Sequence, residues 1–109
     1  LEAANKALDT KVLLSREAME RTGLDWFRPM GRITLRGRST PVEVFEPVPD
    51  WQDDQRATVT AVIAAHEIGD SSSIQALGAM TKTYGEDLGL ANLLRRLKKT
   101  KNGESYALG

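Results

Sequence analysis

The sequence predicts a mixed α/β (α+β) chain in which a helix, a short strand and a second helix lead into a β-hairpin, followed by about three α-helices. Three observations carry this. Apolar and polar residues alternate over Arg32–Arg36, a second β-prone run "VEVF" follows at Val42–Phe45, and only "GRSTP" separates the two. The stretch "EPVPDWQDDQ", Glu46–Gln55, has two prolines, three aspartates and no periodic apolar pattern, which marks a boundary. Beyond it, apolar residues recur at helical spacing to the end of the chain.

Each element has a local cause. "LEAANKAL" is made of strong helix formers and has no N-cap residue ahead of Leu1, so the expectation is a helix end belonging to a piece whose start lies upstream. Asp9 and Thr10 break it. "KVLL", Lys11–Leu14, is a short apolar run suited to a strand, and Ser15 can cap the helix "REAMERTG" that stops at Gly23. In the hairpin, Arg32, Thr34 and Arg36 share one face, Ile33 and Leu35 the other, and Pro41 belongs at a strand entrance because it lacks an N–H. Val59, Val62, Ile63 and His66 form one helical stripe, and Ile74, Leu77, Thr81 and Tyr84 a second. Leu90, Leu93, Leu94 and Leu97 form the third and cleanest, with "RRLKK" placing cations where the helix dipole favours them. The expected organisation is residues 1–48, a linker at 49–57 and a helical tail at 58–109.

Composition narrows the chemistry. The 109 residues balance 15 basic against 15 acidic side chains, which gives no electrostatic case for nucleic acid or an anionic membrane. With no cysteine and one histidine, disulfide scaffolds and thiolate zinc sites are excluded. No apolar run approaches the roughly 18–20 residues of a membrane helix. Dinucleotide, P-loop and nucleophile-elbow motifs are absent. Asp53 with Asp54 and Glu86 with Asp87 are adjacent in sequence, so each pair diverges in regular structure and reads as linker or helix N-terminus. His66 continues an apolar stripe without a catalytic companion, and Trp26 and Phe27 read as packing residues.

The arginines stand out. Arg28, Arg32, Arg36 and Arg38 recur at even positions, and three of them can lie on one strand face or at its end, where guanidinium forks could hold phosphate oxygens. The plainer alternative is cross-strand pairing with Glu43 or Glu46.

"LEAANKALDTKVLLSREAMERTG" followed by "FRPMGRITLRGRSTPVEVFEP" resembles the C-terminal third of the class III adenylate and guanylate cyclase catalytic domain, over about residues 1–48. The likeness lies in the order of helix end, short strand, helix and Arg-Gly-Arg hairpin. It implies a ferredoxin-like α/β domain that pairs as a homodimer, with nucleotide sites at the interface. It also implies that a basic residue of the hairpin's K/R-G-K/R motif helps bind the triphosphate, making Arg38 the leading candidate and Arg36 the second. The implied activity is conversion of ATP to cyclic AMP and pyrophosphate, a phosphorus-oxygen lyase reaction of signal transduction, using magnesium or manganese. The family's metal-binding aspartates, purine-selecting residues and transition-state asparagine and arginine all precede the segment similar to "LEAANK", so this piece alone is expected to be inactive and to contribute no catalytic or metal residue. Asp9 stands where the family commonly has glycine, at a helix end favouring a left-handed backbone.

The stretch Thr58–Leu108 is similar to the tetratricopeptide-like extension of some bacterial multidomain cyclases, in which "AHEIGD" would end the first helix of a pair. That layout implies a cytoplasmic catalytic domain, with sensor and membrane helices upstream. A reading of another class also stands: a non-catalytic regulatory module whose leucine face at 90–97 meets a protein partner.

Overall fold

The computed structural model describes residues 2–35, 39–100 and 105–107. Among these, five α-helices and a four-stranded sheet make a mixed α+β fold. Helix α1 spans Glu2–Leu8, strand β1 Leu14–Ser15, α2 Arg16–Thr22, β2 Phe27–Thr34 and β3 Pro41–Pro47. Helices α3 (Asp53–Glu67), α4 (Ile74–Thr83) and α5 (Leu88–Lys99) follow, with a single 3₁₀ turn at Ser71–Ser73 before α4 and a strand β4 at Tyr106–Ala107. No described helix is long and apolar enough to cross a membrane.

Local chemistry accounts for most boundaries. Ser15 accepts the Ala18 N–H at 3.2 Å, and Gly23 ends α2 with φ +68°, where glycine carries no Cβ penalty. Asp9 takes φ +58° just after α1, in the left-handed region. Its carboxylate accepts from Asn92 Nδ2 at 2.9 Å and Arg95 at 3.4 Å, contacts a glycine there would lack. The expected strand at Lys11–Leu14 shrinks to Leu14–Ser15, because Lys11 and Val12 are exposed and only Leu13 is buried before it. Helix α3 begins at Asp53, within the stretch 49–57 read as linker; Gln52 N–H donates to Gln55 Oε1 at 2.6 Å, and Asp53 and Asp54 face the positive end of the helix.

The sheet order is β1-β3-β2-β4. Strand β3 pairs antiparallel with both β1 and β2, and β4 adds parallel to β2 through Ile33↔Tyr106 and Thr34↔Ala107. The β2–β3 register slips between Pro29↔Phe45 and Arg32↔Glu43, so β2 carries an extra residue. Gly31, with φ +88°, sits in that bulge, where a left-handed residue is needed. The bulge inverts the side-chain alternation along β2. Arg28, Met30 and Ile33 are the buried positions, with Arg32 and Thr34 only half-buried. The expectation that three of the even-numbered arginines can lie on one strand face or at its end therefore cannot include Arg28 together with Arg32, since Arg28 is buried and Arg32 is not.

One apolar core joins the sheet to the later helices: Met30, Ile33 and Val44 pack with Ala4 and Leu8 of α1, Val59 and Val62 of α3, Leu77 of α4, and Leu90, Leu93 and Leu97 of α5. The leucine face expected to await a partner is thus covered within the chain itself. Burial of each large side chain contributes about 1.5–3 kcal/mol.

Candidate functional site

Arg36 and Arg38, with Gly37 between them, lie outside the described residues. The strands on either side of them are described. Strands β2 and β3 are paired up to Thr34↔Pro41, so the connection 35–40 leaves and re-enters a closed antiparallel ladder. Strand β4 lies alongside the same end of β2, and the Thr34 and Ser105 hydroxyls are 2.5 Å apart. The carboxylates expected to pair across the hairpin are engaged elsewhere or deeper. Glu43 accepts from Arg16 Nε at 3.2 Å and NH2 at 2.6 Å. Arg32 stands opposite Glu43 in register, but its near anion is Glu67 of α3, at 3.7 Å.

Arg28 does pair across the strands with Glu46, and here the structure goes beyond the sequence. Its guanidinium, with the side chain 2% exposed, donates to Glu46 Oε1 from Nε at 2.9 Å and NH2 at 2.5 Å. It also grips Asp87 bidentately, NH1 to Oδ2 at 2.7 Å and NH2 to Oδ1 at 2.9 Å. The Trp51 ring centre lies 4.7 Å from the guanidinium carbon. Asp87 is simultaneously the N-cap of α5, accepting the Leu90 N–H at 3.0 Å. Gly89 leaves room for the cluster, since a Cβ there would lie 3.2 Å from Arg28 NH2 and 3.2 Å from Thr10 Cγ2.

Electrostatics follow from this geometry. Burial would lower the Arg28 pKa, but the Asp87 hydrogen bonds and the two carboxylate charges outweigh it and raise it. Glu46 is raised, because burial outweighs Arg28. Asp87 is also pushed up by burial, yet Arg28 and the helix N–H groups overcome this and lower it. Arg28 is thus a structural cation that fastens the base of the hairpin to the tail, not a phosphate ligand. Nothing in β2 alone reveals this; the one signal was Asp87 standing before "LGLANLL" as a cap.

His66 is buried on the core face of α3, with Nε2 3.2 Å from the Thr100 carbonyl oxygen. Phe27 lines a groove of about 410 Å³ with Phe45 and Ile63, rimmed by Arg16 and Glu43. Among the described residues no group of three or more histidine or carboxylate side chains could hold a metal ion. No family model matches the chain, and no curated protein and no solved structure matches it.

Proposed function

We propose that this chain is the C-terminal portion of a class III nucleotide cyclase domain with a tetratricopeptide-like tail, from an enzyme that converts ATP to cyclic AMP and pyrophosphate. The observation that carries this reading is the Arg-Gly-Arg sequence in the connection between two antiparallel strands, preceded in order by the helix, short strand and helix of the family likeness. Helix α2 with its Ser15 and Gly23 caps, and β3 paired between β1 and β2, agree with that order. The finer fold, a ferredoxin-like domain working as a homodimer, belongs to the same proposal.

In this reading Arg38 first, and Arg36 second, bind the triphosphate. The ribose 3′-hydroxyl gives up its proton to solvent as its oxygen bonds to the α-phosphorus and the bond to pyrophosphate breaks, and negative charge accumulates on the leaving oxygens. Two guanidinium forks would offset it and orient the phosphates in line. Magnesium or manganese is held, in this reading, by carboxylates of the intact enzyme upstream of Leu1. The competing interaction-module reading drew part of its support from the leucine face at 90–97, and Leu90, Leu93 and Leu97 are buried.

The test is to incubate the intact protein with ATP and magnesium or manganese and to follow cyclic AMP and pyrophosphate in equal amounts. The 109-residue chain alone should form neither. An intact protein without cyclase activity on ATP or GTP would overturn the proposal.

A further inference from the structure

The two faces of the sheet are covered differently. Met30, Ile33 and Val44 are buried in the core, so their strand neighbours Pro29 and Phe45, which stand opposite one another, fall on the other face together with Phe27. Neither phenylalanine belongs to the apolar core. Between α2 and α3 this face opens as the groove of about 410 Å³, with Met19 and Leu24 on the α2 side and Ile63 on the α3 side. Leu24 is 45% exposed, and nearby Trp26 37%. The volume lies in the roughly 300–1,000 Å³ range of small-molecule sites, which are concave and mainly apolar with a few polar groups.

Among the described residues the lining carries one cation, Arg16, and three carboxylates, Asp25, Glu43 and Glu67. Arg16 is already committed. Its Nε and NH2 donate to Glu43 Oε2 at 3.2 Å and 2.6 Å, Glu20 lies 3.7 Å away, and its guanidinium carbon is 5.0 Å from the centre of the Phe45 ring. Glu67 has Arg32 at 3.7 Å. Asp25 makes no hydrogen bond or ion pair among the described residues, which include the whole lining and the chain on both sides of it. An anion entering the groove would face carboxylates and an occupied guanidinium. An ammonium on an apolar body complements both the aromatic floor and Asp25.

We propose that this groove binds a small amphiphilic amine, its apolar body against Phe27, Phe45 and Ile63 and its ammonium on the Asp25 carboxylate. The site shares no residue with the connection that carries Arg36 and Arg38, so it stands apart from the nucleotide reading. Because α2, the hairpin strands and α3 each supply part of the lining, a bound amine joins them, and binding stabilises the fold by mass action.

The test uses the full 109-residue chain and three probes of one shape: phenylbutylamine, phenylbutanol and phenylbutyrate. Methyl NMR should show saturable shifts at Met19 and Ile63, with the amine binding most tightly and the acid least. Asp25→Asn, at an exposed residue, should lower the amine's affinity about three- to fivefold, to that of the alcohol, the modest size expected of an exposed ion pair. Asp50→Asn, exposed and outside the groove, should leave it unchanged. Ala64→Phe, which fills the groove from α3, should abolish binding of all three probes. Equal affinities for amine and acid, wild-type amine binding by Asp25→Asn, or shifts that do not saturate would overturn the proposal. So would an intact protein that fails to bind the amine.

Discussion

Replacing Asp87 by alanine removes two things from one place. The carboxylate caps α5 through the Leu90 N–H at 3.0 Å, a role worth about 1 kcal/mol. It is also one of two anions neutralising Arg28, which is 2% exposed, and stripping a buried ion of its partner costs about 3–5 kcal/mol. Glu46 stays in place, so the low end applies, and Asp87→Ala should cost about 4 kcal/mol in all. Asp87→Asn keeps an oxygen for the cap and one bond to the guanidinium, and should cost about 2 kcal/mol. Against a total stability of roughly 5–15 kcal/mol, the alanine variant approaches unfolding. Urea denaturation of wild type, both variants, Arg28→Met and the Arg28→Met/Asp87→Ala double variant measures this. The pair should couple by more than about 1 kcal/mol. A loss below about 1 kcal/mol for Asp87→Ala, or additive single and double variants, would refute the view that this cluster fastens hairpin to tail.

Three further outcomes follow from the same geometry. Gly89→Ala places a Cβ 3.2 Å from Arg28 NH2 and should destabilise by about 1–3 kcal/mol, whereas Gly78→Ala, with open space inside α4, should stabilise by up to about 1 kcal/mol; thermal melts that rank them the other way would contradict the packing. Gly31→Ala forces a side chain onto φ +88° in the bulge and should lower stability by about 1–3 kcal/mol in the same assay. The two acids around Arg28 should act oppositely with pH. Asp87 is lowered, so its stabilisation is complete above its ordinary value of 3.8 and lost as pH falls through the folded value. Glu46 is raised, so its ionisation disfavours the fold as pH rises from 4.5 through the folded value. Urea midpoints against pH should therefore lose part of their acid limb in Asp87→Asn and lose the decline above pH 4.5 in Glu46→Gln.

Features set by near neighbours in sequence were legible. Ser15 and Gly23 bound α2, Ile33 faces the core opposite Arg32, and the stripes at 59–66, 74–84 and 90–97 became α3, α4 and α5. What was not legible depends on residues far apart. Arg28 and Asp87 are 59 positions from each other, and no periodicity connects them. The Gly31 bulge inverts the parity on which the arginine argument rested, although a glycine inside a strand-like run was its available sign. Strand β4 is two residues long and pairs in parallel, too short to leave a pattern. The leucine stripe announced that α5 buries a face, but not that α1, α4 and the sheet would share in covering it. At the candidate site itself, the hairpin was readable from alternation and turn length. The roles of Arg36 and Arg38 came from the family likeness and rest with experiment.

The most direct measurement is kcat/KM for ATP in the intact protein carrying Arg38→Ala, alongside Arg36→Ala and a control at the exposed Arg21, which pairs with Glu17 in α2. A guanidinium that binds the triphosphate through charge-assisted hydrogen bonds should leave a loss of about 10- to 100-fold at Arg38, from roughly 1.5–3 kcal/mol per such bond, and a smaller one at Arg36. The Arg21 control should match wild type. An Arg38→Ala enzyme with wild-type kcat/KM would contradict the assignment of this hairpin to the nucleotide.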